Sequence, residues 1–178
     1  MTVKDIKYKV EKKFEKIRLY NNIYGFQIQP NTKFTKGISR KEIDELETLF
    51  GFNFPWEYRE MLLVFTNLDT PTISISPEDN SIVKYSKESF FYNYPEDYDK
   101  SGWLIDEIEE FKIEAETALR EAGFDVSKIE GFIPMHNHRA IVVFKNKDLS
   151  PVISVHGADI IVFGNNLKEY LRYELLNH

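Results

Sequence analysis

The sequence of 178 residues contains no cysteine, which excludes disulfide bonds and cysteine-ligated metal sites and suits a reducing, cytoplasmic location. Its eight glycines all stand singly, so no glycine-rich loop is available to hold a phosphate group. No apolar run is long enough to cross a membrane, and lysines interrupt the first turns, so we expect no signal peptide. The motifs of serine hydrolases, Walker-type nucleotidases and dinucleotide-binding enzymes are absent as well.

Charge is distributed unevenly along the chain, whose net charge is −6. Residues 1–20 carry seven Lys/Arg against three Asp/Glu, whereas residues 78–121 carry thirteen Asp/Glu against five Lys/Arg. An acidic middle segment disfavours nucleic acid as a partner, because nucleic-acid binding needs a basic surface. It fits either a basic protein partner or an ordinary solvated acidic face, and the sequence leaves both interpretations open.

A helical hairpin is the best-defined local structure in the sequence. Ser39 and Glu42 have the spacing of a capping box, and Gly51 can end the helix in the left-handed conformation. Pro55 fits the first position of a second helix, which places Tyr58 on its apolar face. The short linker predicts that the two helices pack against each other.

The remaining periodicities predict a single α+β domain, with helices early, strands late and a closing helix. The last helix should begin at a cap provided by Asn165 or Asn166. The other predicted elements are helices over residues 3–20 and 104–122, short strands near residues 23–28, 72–76 and 82–85, and a meander of strands over 140–144, 152–155 and 160–163.

Residues 39–67, SRKEIDELETLFGFNFPWEYREMLLVFTN, resemble the signature of the SUKH superfamily, which includes a fungal cell-wall-assembly regulator and many bacterial toxin-immunity proteins. The matching residues are Glu47, Phe50, Gly51, Pro55, Tyr58, Leu62 and Asn67. Phe54 replaces the usual Leu before the proline, and Leu68 replaces the usual Gly after Asn67. The segments FIPMHNHRAIVVF (132–144) and PVISVHGADIIVFGNNLKEYL (151–171) are similar to a bacterial subset with a His-Arg pair.

This resemblance implies one domain over residues 1–178, with an N-terminal helix and connection over 1–36 and a family-like core over 37–178. The implied fold is a mixed, mostly antiparallel curved sheet flanked by helices. It also implies a non-enzymatic, protein-binding function without a cofactor, such as an immunity protein that neutralises a toxin. A basic nuclease toxin would suit the acidic segment, and a regulatory or scaffolding module is the alternative. We expect a monomer or weak dimer with no nucleic-acid or membrane partner.

The histidines allow one enzymatic alternative, a metal-dependent hydrolase built on His136, His138 and His156. His136 and His138 would share one face of a strand, and Asp159 and His178 could add ligands. The competing interpretation is a set of loop histidines without a metal, because no spaced zinc motif is present. Arg139 could bind the carboxylate of Asp159 and join two hairpins, or it could contact a partner.

Two sets of residues therefore follow from the sequence. The predicted partner-binding residues combine aromatic and acidic side chains with the His-Arg pair: Tyr92, Tyr94, Tyr98, Trp103, Asp106, Glu109, Glu110, His138 and Arg139. The alternative for the aromatic members is that they cover the sheet. The predicted structural residues build caps, turns and core: Ser39, Glu42, Gly51, Pro55, Tyr58, Asn67 and Asp159.

Overall fold

A computed structural model describes residues 1–20, 22–23, 25–75, 82–84 and 89–177. Four predicted positions lie outside the described residues: Tyr24 within the first predicted strand, the strand ends at Ser76 and Tyr85, and the possible ligand His178. The helices are α1 (Val3–Phe14), α2 (Arg40–Phe50), α3 (Trp56–Val64), α4 (Gly102–Glu110), α5 (Lys112–Glu121) and α6 (Leu167–Leu176). The strands are β1 (Gly25–Gln27), β2 (Ile73–Ile75), β3 (Ile82–Lys84), β4 (Ile129–His136), β5 (Arg139–Phe144), β6 (Val152–His156) and β7 (Asp159–Gly164).

The strands form two antiparallel sheets, one in the order β1-β2-β3 and one in the order β4-β5-β6-β7. The larger sheet is a meander, because each strand pairs with the next along the chain. This arrangement confirms the predicted α+β single domain. None of the helices in the described part of the chain has the length and apolar character needed to cross a membrane.

The larger sheet has a helical layer on each face. On β5, Ile141 and Val143 face a core shared with α1, α2, α3 and α6, whereas Val142 and Phe144 face a second core shared with α4 and α5. Burial on both faces explains why β5 is an unbroken apolar run and not an alternating one. The sheet is thus the middle layer, and α4 and α5 form one outer layer.

The helical hairpin matches its sequence signals at nearly every position. The Ser39 hydroxyl accepts from the Glu42 N–H while the Glu42 carboxylate accepts from the Ser39 N–H, and Gly51 ends α2 with φ of 81°. The prediction for Pro55 was wrong by one position, because Pro55 is the N-cap of α3 with extended ψ and the helix begins at Trp56. Tyr58 is buried, as predicted.

Replacing Ser39 with alanine should lower the free energy of unfolding by about 1 kcal/mol, because the Glu42 N–H loses its capping acceptor. Urea denaturation measures the change. Thr48→Ala in the exposed part of the same helix is the matched control and should cost less than about 0.5 kcal/mol. Equal losses in the two variants would contradict a capping role for Ser39.

Two predicted helices differ from the structure: one was predicted too long, and the other was predicted as one helix where the structure has two. Helix α1 ends at Phe14 and not at residue 20, because the Phe14 carbonyl accepts from the Asn31 N–H (2.9 Å) and the chain turns away. The predicted helix over 104–122 is broken at Phe111, whose φ of −106° and ψ of 39° are not helical. The Phe111 ring packs on the second core beside Gly157, so tertiary packing sets the break.

The meander contains one strand more than the sequence analysis predicted. Strand β4 precedes β5 and pairs with it from Ile129↔Phe144 to His136↔Arg139. It is the first strand of the larger sheet, and no strand of the described residues pairs with its other edge in that sheet. At the other end of the meander, Asn166, and not Asn165, caps α6 by accepting from the Glu169 N–H.

Candidate functional site

Helix α4 separates two exposed surfaces of the molecule. Ile105, Asp106 and Glu109 lie on one side of the helix and line a groove beside β4. Trp103 and Glu107, one helical turn apart, lie on the other side and face the β4–β5 and β6–β7 hairpins. The predicted partner-binding residues are therefore divided between the two surfaces.

The groove has a volume of about 620 Å³, within the usual range of ligand-binding clefts of about 300–1,000 Å³. Helices α4 and α5 form one wall, and β4 with the loop after α2 forms the other. Its apolar lining comes mainly from Phe50, Phe52, Tyr98, Ile105, Ile108, Leu119, Val126, Ile129, Phe132 and Pro134.

The charged lining of the groove is strongly acidic. Among the residues that the structure describes, five carboxylates, Asp99, Asp106, Glu109, Glu116 and Glu130, line it together with one basic side chain, Lys112. Three of the five have an ion-pair partner: Glu109 with Lys112 at 3.9 Å, Glu116 with Arg120, and Glu130 with Lys147. The groove therefore combines apolar contact area with a negative potential, which suits a ligand that is both basic and apolar.

The second surface centres on an aromatic pair. The Trp103 Nε1–H donates to the Tyr92 hydroxyl at 3.0 Å, and the exposed indole meets the His138 ring edge-on at 5.5 Å. The rings of His138 and His156 stack with centroids 3.8 Å apart. Burial, followed by the neighbouring His156, lowers the pKa of His138 below its usual value. This surface therefore presents rings that are already in contact with one another.

The structure does not bring the three histidines together as a metal site. The Nδ1 atom of His136 contacts the Phe90 carbonyl oxygen, and its ring stacks on Phe90 at 4.0 Å. The ring centroids of His138 and His156 lie 3.8 Å apart with the ring planes tilted by 32°, and the His136 ring is engaged with Phe90 instead of with this pair. Among the described residues no group of three His, Asp or Glu side chains is placed to hold a metal ion. The three-histidine arrangement was therefore wrong in its geometry.

The predicted contact between Arg139 and Asp159 was also wrong. Arg139 donates to the Ser154 hydroxyl at 2.6 Å, its Nε lies 3.8 Å from a carboxylate oxygen of Glu174, and its guanidinium lies over the Phe163 ring. Arg139 thus joins β5 to β6 and to α6. Asp159 is exposed at the β6–β7 turn, where it lies opposite His156 in the strand register. The strand register places Arg139 opposite Ser154, two residues before that turn.

The predicted aromatic and acidic residues have different positions. Tyr94 is largely buried, and its hydroxyl donates to the Pro134 carbonyl at 2.7 Å, so this tyrosine covers the sheet. Tyr98 lines the groove and meets the Phe50 ring edge-on at 5.0 Å. Glu110 is exposed at the end of α4, outside the groove lining. The aromatic stretch therefore supplies both cover and groove wall.

A second cavity, of about 720 Å³, lies between the end of α1, β1 and α6. Lys13, Lys16 and Arg18 line it, and Lys13 lies in the last turn of α1, where a cation stabilises the helix dipole. The Lys13 ammonium also donates to the Leu175 carbonyl in the last turn of α6, at 3.1 Å. We place the candidate site in the acidic groove, because it is lined by three predicted partner-binding residues, Tyr98, Asp106 and Glu109, whereas this cavity is lined by Arg139 alone of that set.

Comparison with protein-family models, with curated proteins and with solved structures gave no match in any of the three. The site must therefore be interpreted from its own geometry. The sequence analysis identified Tyr98, Asp106 and Glu109 but missed the opposite wall, formed by Phe52, Glu130 and Phe132. The β-branched and aromatic residues of 129–133 were the signal for that wall, and recognising β4 as a strand would have located it.

Proposed function

We propose that this chain is a protein-binding module, and that its acidic groove binds a basic, partly apolar segment of a partner protein. The observation that carries the proposal is the groove itself, where the described residues place five carboxylates and one lysine around an apolar lining. Long-range attraction between such a groove and a basic partner speeds association and favours the right orientation. Apolar contact within the groove then supplies affinity.

The resemblance of residues 39–67 to the SUKH superfamily supports a narrower form of this proposal. In that form the chain is an immunity protein, and the partner is a toxin whose basic surface it covers. A nuclease toxin would suit the charge, because nucleases need a basic surface to hold nucleic acid. Most of the hairpin residues that carry the resemblance build caps and core and so support the scaffold, whereas Phe50 also lines the groove that supplies the recognition.

The test is co-expression with a basic toxin candidate encoded beside the gene for this chain. We expect protection of growth and a 1:1 complex whose affinity falls as salt concentration rises. The double variant Asp106→Lys/Glu109→Lys should raise the Kd at least about tenfold, because it places two positive charges on the groove wall.

The matched control is Glu114→Lys/Glu121→Lys, which makes the same charge change on exposed positions of α5 outside the groove lining. The control should change the Kd by at most about twofold, because dissolved ions screen the interaction between the partner and surface charges that lie far from the contact. Equal weakening by both double variants would reject the groove as the binding site. Failure of the chain to bind or to inhibit any such toxin would reject the immunity function.

A further inference from the structure

The acidic groove runs beside a sheet edge that is open to hydrogen bonding. Strand β4 pairs with β5 along one side and is the outermost strand of its sheet. Ile129, Glu130, Gly131 and Phe132 all line the groove. Successive residues of a strand point to opposite faces, so a lining of consecutive residues means that the groove follows the strand's edge.

The register identifies which backbone groups point out of that edge. The Val142 N–H donates to the Pro151 carbonyl on the β6 side, at 2.8 Å. The backbone of Val142 thus faces away from β4, and its partner Phe132 must present its own N–H and C=O to the open edge. Outside the β4–β5 ladder, none of the described residues forms a backbone or side-chain hydrogen bond to Phe132.

The far end of the same edge is already closed. Pro134 has the same orientation as Phe132 but has no N–H, and its carbonyl accepts from the Tyr94 hydroxyl. The Met135 carbonyl accepts from the Tyr92 N–H at 2.8 Å. The open length is therefore short and coincides with the groove.

The shape of the groove at Gly131 leaves this edge accessible. A Cβ atom at Gly131 would stand 2.3 Å from Phe52 Cε1, so the Phe52 ring packs directly against the face of the strand at a position without a side chain. The Phe52 ring thereby forms an apolar surface of the groove beside the open edge of β4. Asp106 and Glu109 stand on the opposite wall, on α4.

From this geometry we infer that the partner contributes an extended segment, which pairs with β4 at Phe132 as an added strand and carries alternating basic and apolar side chains. The inference rests on the proposed function. The basic side chains face Asp106 and Glu109, and the apolar ones contact Phe52 and its neighbours. A helix is a poorer occupant, because its own amides are already bonded and it would shield the Phe132 N–H and C=O from water without pairing them.

The first test uses a synthetic peptide of alternating lysine and valine, with capped ends. A glutamate–valine peptide is the charge control. Two further lysine–valine peptides carry N-methyl groups on every second amide, one on the odd-numbered and the other on the even-numbered amides, so that each blocks one edge of the extended peptide. The unmodified lysine peptide should bind at least about tenfold more tightly than the glutamate peptide and than at least one N-methylated form. Asp106→Lys/Glu109→Lys should weaken it by a similar factor, whereas Glu114→Lys/Glu121→Lys should not.

The second measurement is amide hydrogen exchange at Phe132, followed by NMR in the free and peptide-saturated protein. Exchange should slow about tenfold on binding, because the outward N–H gains an acceptor. Strand addition would be overturned if both N-methylated peptides bound as tightly as the unmodified peptide, if no peptide bound, or if exchange at Phe132 were unchanged. If a partner protein binds with the charge dependence given above while Phe132 exchange is unchanged, strand addition fails and the proposed function stands.

Discussion

Replacing Asn67 with alanine is expected to lower the free energy of unfolding by about 4 kcal/mol, the largest effect of any substitution considered. The Asn67 side chain is buried, with 5% of its surface exposed. Its Nδ2 donates to the Phe91 carbonyl at 2.8 Å, and its Oδ1 accepts from the N–H groups of Leu68 (2.9 Å) and Phe91 (3.1 Å). Alanine would leave three buried backbone groups without partners, each at a cost of about 1–3 kcal/mol.

Urea denaturation with a shared m-value measures this loss. The matched control is Asn53→Ala, at an exposed asparagine in the α2–α3 linker, which should change the stability by less than about 0.5 kcal/mol. Asn67→Asp should also destabilise the protein, because it loses the donor to Phe91 and buries a charge in its place. A loss of less than about 1 kcal/mol in Asn67→Ala would show that water replaces the missing contacts.

Acidification should destabilise the protein through His136. This side chain is buried, with 7% of its surface exposed, and burial lowers its pKa from 6.5 to about 4. The neutral ring suits its surroundings, because Nδ1–H can donate to the Phe90 carbonyl while Nε2 accepts from the Asn137 amide. Protonation would place an extra charge in this apolar environment and remove the acceptor at Nε2.

The sign of the pH dependence follows from proton counting. Between pH 6.5 and about 4 the unfolded chain binds a proton at His136 that the folded chain does not, so stability falls as the pH falls through this window. Above the window the residue is neutral in both states and contributes no pH dependence. The full change is about 3 kcal/mol, taken from the pKa difference at about 1.4 kcal/mol per unit.

The measurement is the free energy of unfolding as a function of pH, for wild type and for His136→Phe. Other titratable groups contribute to both pH curves, so the difference between the two proteins isolates His136. At pH 7 the phenylalanine variant should have a lower free energy of unfolding than wild type, because it loses the contact with the Phe90 carbonyl. On acidification it should lose less stability than wild type. Parallel pH curves for the two proteins would contradict a neutral buried His136.

The parts of the fold that were predictable from the sequence depend on local physics. The α2 cap at Ser39 and Glu42 and the stop at Gly51 need only neighbouring residues, and the structure has all three. The break at Phe111 has no local signal, because no glycine or proline stands there and the ring's packing beside Gly157 decides it. Likewise, the early end of α1 depends on Asn31, seventeen residues after Phe14.

The same distinction holds for the site. Asp106 and Glu109 were predictable as part of an acidic helical segment, and helical spacing places them on one wall. The opposite wall required the β4–β5 register, which depends on long-range pairing and on bulges near Gly131 and His136. Trp103 and Tyr98 were grouped by sequence proximity, but α4 separates their surfaces.

The contact of α1 with α6 has a consequence for how the chain emerges during synthesis. Helix α1 packs on both α3 and α6, so its apolar residues Val3, Ile6, Val10 and Phe14 need a partner, α6, that is synthesised long after α1. Ribosomes synthesise about 5–20 residues per second. For several seconds, therefore, α3 but not yet α6 is available to cover the apolar face of α1. We expect the nascent chain to depend on a chaperone, or on the lysines of α1 for solubility, until α6 leaves the ribosome.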